Sequence, residues 1–168
     1  MGAARAVLLL TDIEGSTSLW ENEPEQAAKA IARHEDLVSA QVVGHGGEVV
    51  KSRGEGDALF CVFRTAEQAV ACAMAVQRAL AAEQWPTSQA VRIRIAVHCG
   101  EVEGRAEDYF GPTVNRCARL RGVCHGGQIV VSEAVREECG DDVPFVDLGR
   151  HRLKDLLRAE HVFEVTWS

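Results

Sequence analysis

The hydrophobic pattern divides the chain into short blocks of two kinds. Residues 6–10 are an unbroken apolar run that stops at Thr11-Asp12-Ile13-Glu14-Gly15, the signature of a buried strand delivered into a polar turn. Residues 24–43 carry Ala27, Ala28, Ile31, Ala32, Leu37 and Val38 at helical spacing, and Gly44, Gly46 and Gly47 stop them. Residues 48–51 read as a strand, the glycine-rich residues 52–56 as a hairpin loop, and residues 57–63 as the returning strand. Residues 65–82 form an amphipathic helix with Thr65 as its cap, and residues 91–98 alternate with period two as the next strand. A polar loop or short ribbon over 100–108 leads to a helix over 111–123. A short strand (128–131), a helix capped by Ser132, an extended stretch (145–148), a basic stretch (150–157) and a closing strand (161–165) complete the chain.

The order β-α-β-β-α-β predicts an α+β fold with a ferredoxin-like core. The expected sheet is antiparallel and covered by helices on one face, with a C-terminal αβ extension, and residues 1–168 make one domain. In this order the first strand lies beside the strand that follows the hairpin loop. Asp12, at the end of one, then meets Asp57, at the start of the other. Two carboxylates at one sheet edge repel each other unless a cation lies between them. The turn after Asp12 adds Gly15, Ser16 and Thr17 before a helical pattern, so free N–H groups could meet phosphate oxygens there. The simpler reading is that Asp12 and Ser16 cap a helix.

Composition narrows the partners. A net charge of −7 leaves no basic footprint for nucleic acid. No apolar run is long enough to cross a membrane, and the first run leads straight into Thr-Asp-Ile-Glu without a signal-peptide cleavage site. The six cysteines form no C-x-x-C pair, and several lie in apolar runs, which points to reduced thiols in the cytoplasm and no structural zinc.

Four motifs now stand in order. They are Thr11-Asp12-Ile13-Glu14-Gly15-Ser16-Thr17, His45-Gly46-Gly47-Glu48-Val49-Val50-Lys51, Gly56-Asp57-Ala58-Leu59-Phe60-Cys61-Val62-Phe63, and Tyr109-Phe110-Gly111-Pro112-Thr113-Val114-Asn115-Arg116-Cys117-Ala118-Arg119. Together with Leu153-Lys154-Asp155-Leu156 and Val162-Phe163-Glu164-Val165, they resemble the class III nucleotidyl cyclase catalytic domain, most closely its actinobacterial-type branch. The likeness runs along essentially the whole chain.

That resemblance implies an adenylyl cyclase. The 3′-hydroxyl of ATP attacks the α-phosphorus, and cyclic AMP and pyrophosphate leave a head-to-tail homodimer with composite sites. It implies two divalent cations, Mg²⁺ or Mn²⁺, held by Asp12, Asp57 and the Ile13 carbonyl. Lys51 and Asp108 match the residues that read adenine, one donating and one accepting. Asn115 matches the ribose-orienting residue and Arg119 the one that stabilises charge on the α-phosphoryl; their spacing of four sets them on one helical stripe. Lys154 matches a ligand of the β- or γ-phosphate.

The hairpin departs from the family pattern, in which the base-reading lysine stands four residues before the metal aspartate. From Lys51 that spacing reaches Glu55; from Asp57 it reaches back to Arg53. A loop two residues longer reconciles Lys51 with Asp57. The rival assignments are Glu55 as the metal ligand, and Arg53 as the base-facing residue. The other readings of the whole chain are a guanylyl or loosely selective cyclase and a catalytically silent nucleotide-binding dimer module.

Overall fold

A computed structural model describes residues 4–53, 57–105 and 108–168; residues 51–53, 105 and 108 are described by their backbone alone. The elements in chain order are β1 (Ala4–Ile13), α1 (Ser16–Asn22), α2 (Pro24–Gly44), β2 (Glu48–Arg53), β3 (Ala58–Phe63), α3 (Ala66–Ala82), β4 (Ile93–Arg105), β5 (Asp108–Phe110), α4 (Pro112–Arg121), β6 (Ile129–Ser132), α5 (Glu133–Glu138), β7 (Phe145–His151) and β8 (Glu160–Val165).

The local signals act as their chemistry requires. Pro24 opens α2, where its missing N–H costs nothing. Thr65 caps α3 by accepting the Gln68 amide at 3.1 Å, and Ser132 caps α5 by accepting from Val135. After α2, Gly46 takes φ +80° and the Gly47 amide returns to the Val42 carbonyl at 2.8 Å. A Cβ on Gly47 would sit 2.4 Å from the Phe63 ring, so the chain enters β2 only through glycine.

The sheet order is β2-β3-β1-β4-β6-β8-β7, with β5 hydrogen-bonded to β4. Strands β2, β3, β1 and β4 are antiparallel to one another. The sheet as a whole is mixed, which corrects the antiparallel expectation. Strand β6 lies parallel to β4, with Ile95 opposite Ile129 and Val97 opposite Val131. The cause is the crossover through α4 between them, the connection that parallel neighbours require.

Helices cover both faces, not one. On the first face Val7, Leu9, Ile13, Leu59, Cys61, Ile95 and Val97 pack against α2, α3 and α5. On the second, Leu8, Leu10, Phe60 and Ala96 pack against Cys117 and Leu120 of α4 and against Leu153. Strand β1 sits between β3 and β4 and so contributes to both cores, Leu9 to one and Leu10 to the other. It also runs further than its apolar stretch. Thr11 and Asp12 stay inside the ladder, where the Thr11 hydroxyl accepts the Leu59 amide at 3.3 Å. Strand β4 likewise continues past His98 and forms a ribbon with β5. Among the described residues no helix is long and apolar enough to cross a membrane.

Candidate active site

Alternation along β1 sends Asp12 to the second face, in step with Leu8 and Leu10. Its cross-strand partners are Ala58 on β3 and Arg94 on β4. Directly opposed residues share a face. The Arg94 Nε donates to Asp12 Oδ1 at 2.6 Å, and its Nη2 donates to Oδ2. This fork is the strong, charge-assisted kind of pair, and it raises the pKa of Arg94. A second guanidinium comes from the end of α4. Arg121 Nε lies 3.6 Å from Asp12 Oδ2, and its Nη1 donates to the Thr11 carbonyl at 3.0 Å. Two arginines therefore balance the Asp12 charge. The sequence motifs pass over both. Arg94 was detectable from the β1–β4 register, which places it opposite Asp12, whereas Arg121 needs the pitch of α4.

Asp57 stands beside this group. Its carbonyl accepts the Ile13 amide at 3.0 Å, and its Oδ2 accepts the Ser16 hydroxyl at 2.7 Å. The structure thus joins Ile13, Ser16 and Asp57 at the adjoining ends of β1 and β3, one residue on from Asp12. Ser16 is tied to Asp57 and does not cap α1; Gly15 occupies the cap position with φ +72°, and no side chain caps there. That corrects the helix-cap reading of Asp12 and Ser16. Thr17 is exposed. Glu14 turns the other way, accepting the Gly126 amide at 2.8 Å and so pinning the turn after α4.

Asp12, Asp57 and the Ile13 carbonyl are all oxygen donors, the hard set suited to Mg²⁺ or Mn²⁺. Among the described residues no group of three or more His, Cys, Asp or Glu side chains gathers as a metal cluster. The two carboxylates and the carbonyl fit a divalent ion whose other ligands are water and substrate oxygens. The competing feature is Arg94, which already holds the oxygens of Asp12. The side chains of Lys51, Arg53 and Asp108, and Glu55 entirely, lie outside the described residues. The backbone places Lys51 of β2 opposite Phe60 of β3, and Asp108 of β5 opposite Arg105 of β4.

Helix α4 carries the second group. Cys117 and Leu120 bury its inner side, Asn115 is exposed, and Arg119 is half-buried on the same stripe. Arg116 anchors the helix to β8 through Glu160 at 3.1 Å, and Glu160 also accepts the Glu133 amide. Arg119 Nη2 lies 3.3 Å from Asp155 Oδ2, and its Nε is buried without a hydrogen-bond partner. Lys154, next to Asp155, is exposed. Among the described residues no hydrogen bond or ion pair joins Asn115, Arg119 or Lys154 to Asp12 or Asp57. The predicted residues thus fall into two groups within one chain, and Arg121 bridges from α4 toward the first.

Two further features bound the chemistry. All six cysteines are free and buried. Burial pushes Cys61, Cys72, Cys117 and Cys124 up to about 12 and Cys139 to about 11, so none of these five supplies a thiolate near neutral pH. A cleft of about 610 Å³ opens beside α1, lined by Gly15, Leu19, Asn22, Ser88 and Arg92 among others; neither Asp12 nor Asp57 lines it.

Residues 3–162 match the adenylate and guanylate cyclase catalytic domain. An uncharacterized protein of Mycobacterium tuberculosis is 44% identical over 162 residues, covering 94% of this chain and 54% of that protein. The putative adenylate cyclase 3 of Rhizobium meliloti is 32% identical over 168 residues, covering 97% of this chain and 28% of that protein. This chain therefore spans about half the length of the first relative and less of the second. The guanylate cyclase domain of RhGC from Catenaria anguillulae, solved in complex with GTP, shares the fold with a TM-score of 0.86 at 18% identity, covering 97% of this chain and 96% of that one.

Proposed function

The chain belongs to the adenylate and guanylate cyclase catalytic domain family, and we propose that it converts ATP to 3′,5′-cyclic AMP and pyrophosphate as a cytoplasmic homodimer. The observation that supports this reading is the pairing of Asp57 with Ile13 and Ser16 at the ends of neighbouring strands, one residue on from Asp12. Asp12, Asp57 and the Ile13 carbonyl would hold two divalent ions, which lower the pKa of the attacking 3′-hydroxyl and neutralise the triphosphate.

The remaining roles belong to the chain's own groups. Asn115 orients the ribose so that the 3′-oxygen faces the α-phosphorus. Arg119 donates to the α-phosphoryl oxygens as charge gathers there, and its unpartnered Nε is a donor kept for that purpose. Lys154 neutralises the outer phosphates, and the amides of Gly15, Ser16 and Thr17 face phosphate oxygens. Lys51 donates to adenine N1, and Asp108 accepts from the 6-amino group. A mismatched base would leave both groups unpaired. Within one chain α4 meets Asp12 through Arg121 while Arg119 pairs with Asp155 instead, which supports a site shared across a twofold axis in which Arg119 serves the partner's carboxylates.

The test is incubation with ATP or GTP and Mn²⁺, followed by product identification by mass spectrometry. Cyclic AMP should dominate, and specific activity should fall on dilution as dimers dissociate. Lys51→Glu combined with Asp108→Cys should erode the preference for ATP. Dominant cyclic GMP from the wild type would favour the guanylyl reading, and the absence of either product would favour a silent nucleotide-binding module.

A further inference from the structure

Residues 153–156 form a tight turn in which the Leu156 amide donates to the Leu153 carbonyl at 3.1 Å. Leu153 is buried in the same cluster as Cys117 and Leu120, so the turn is pressed against α4. Lys154 and Asp155 occupy its two corners. Asp155 has φ +63° and is the one non-glycine residue with positive φ among the described residues. A turn with positive φ at its second corner favours glycine. An aspartate held there costs backbone energy, and such strain is kept where the side chain has work to do.

The work is visible in the contact. Asp155 Oδ2 lies 3.3 Å from Arg119 Nη2 as an ion pair, while the Asp155 side chain is 65% exposed. An ion pair so open to water adds little to stability. Its effect is directional. It holds one end of the guanidinium, whose Nε remains buried and unpaired. Lys154, at the neighbouring corner, makes no hydrogen bond or ion pair among the described residues. One corner of the turn thus carries an exposed, unpaired lysine and the next a carboxylate that pairs with Arg119.

We infer that Asp155 is a positioning residue: it aims Arg119 and fixes the Lys154 turn on α4, so that the two cations meet a polyphosphate in one arrangement. This rests on the reading of Arg119 and Lys154 as phosphate-facing groups. Electrostatics alone predicts the opposite of a helpful role, since a carboxylate beside two cations repels phosphate. The two accounts therefore separate cleanly.

The test compares Asp155→Gly and Asp155→Asn with the wild type in steady-state kinetics and thermal unfolding. Glycine relieves the positive φ, so Asp155→Gly should unfold at an equal or higher temperature. Its kcat should nevertheless fall about tenfold while KM stays level or drops, because orientation is lost and repulsion is removed. Asparagine tolerates the turn and keeps an amide oxygen facing the guanidinium, so Asp155→Asn should recover kcat to within about threefold of wild type. An unchanged or higher kcat in Asp155→Gly overturns the inference. If the wild type forms no cyclic product, the cyclase reading fails on its own, and the inference is judged from the Arg119 Nε–H resonance. That proton should exchange slowly in the wild type and rapidly in Asp155→Gly; slow exchange in both overturns the positioning role.

Discussion

The two faces of the sheet are drawn from the same strands yet packed in different ways. Against α2 and α3, β1 presents Val7, Leu9 and Ile13, and β4 presents Ile93, Ile95 and Val97, all buried. Against α4, the alternate residues begin in the same manner with Leu8, Leu10 and Ala96, and then turn charged at Asp12 and Arg94. The first face closes on apolar contact, where density decides stability. The second closes only when each charge finds a partner, and α4 brings three arginines to it: Arg116 to Glu160, Arg121 to Asp12 and Arg119 to Asp155. A strand with period two can serve both demands at once. The first face supplies rigidity, and the second can then hold charged groups in positions that a loop would not fix.

The largest effects should separate the faces. Leu9 is fully buried on the first face, so Leu9→Ala should cost about 2–5 kcal/mol in urea unfolding. Where that variant stays folded, the groups at Asp12 and α4 are untouched and turnover per folded molecule should hold near wild type. Arg119→Ala on the second face should do the reverse. It should change stability by less than about 0.5 kcal/mol and lower kcat by about a hundredfold, with KM moving far less. Equal destabilisation by both variants would break the comparison.

This division also explains what the sequence could and could not show. Periodicity located β1, α2, β3, α3 and the helix that holds Asn115 and Arg119, because each has a clean apolar stripe or alternation. It also set the end of β1 beside the start of β3, since the βαββαβ order makes β3 one of the two neighbours of the first strand. It missed the parallel pairing of β4 with β6, which depends on where a crossover packs and not on any local pattern. It missed Arg94 and Arg121 for a related reason. An arginine in an alternating strand looks solvent-facing until register puts a carboxylate opposite. It read Asp12 and Ser16 as possible caps, whereas Ser16 spends its hydroxyl on a residue 41 positions away. Long-range polar pairing carries little trace in a one-dimensional pattern.

A smaller effect reads one buried group of the second face by pH. His98, on β4 opposite Leu8, is buried on the second face with its Nδ1 2.7 Å from the Ser132 hydroxyl. Burial, and secondarily the Arg116 charge, lower its pKa from 6.5 to about 4. Between those values the unfolded chain binds a proton that the folded chain refuses. Stability is therefore complete above about pH 6.5 and falls as pH drops toward 4, by up to about 3 kcal/mol from this group. His34, buried against α2's own Ile31 carbonyl, is shifted in the same direction by burial, so the wild-type slope has two sources. His98→Gln should remove one proton's worth of the slope between pH 6.5 and 4 in urea titrations. An unaltered slope would show that the second face does not carry this titration.

The smallest effect bears on Asp12 itself. A divalent ion there competes with Arg94 for the same two oxygens, and Arg94 holds them through a two-pronged, charge-assisted contact. Arg94→Gln keeps a hydrogen-bonding side chain but removes the competing charge. Arg121 remains at 3.6 Å as a weaker counter-charge, so Asp12 is not left bare. In the nucleotide-free chain, Mn²⁺ followed by electron paramagnetic resonance should bind roughly tenfold more tightly to Arg94→Gln than to the wild type. Arg33→Gln is the matched control, since Arg33 forms an exposed two-pronged pair with Glu83 away from Asp12 and should leave Mn²⁺ affinity unchanged. Equal affinity in wild type and Arg94→Gln would mean that Arg94 yields without cost, and the second face would then be held by packing in the same sense as the first.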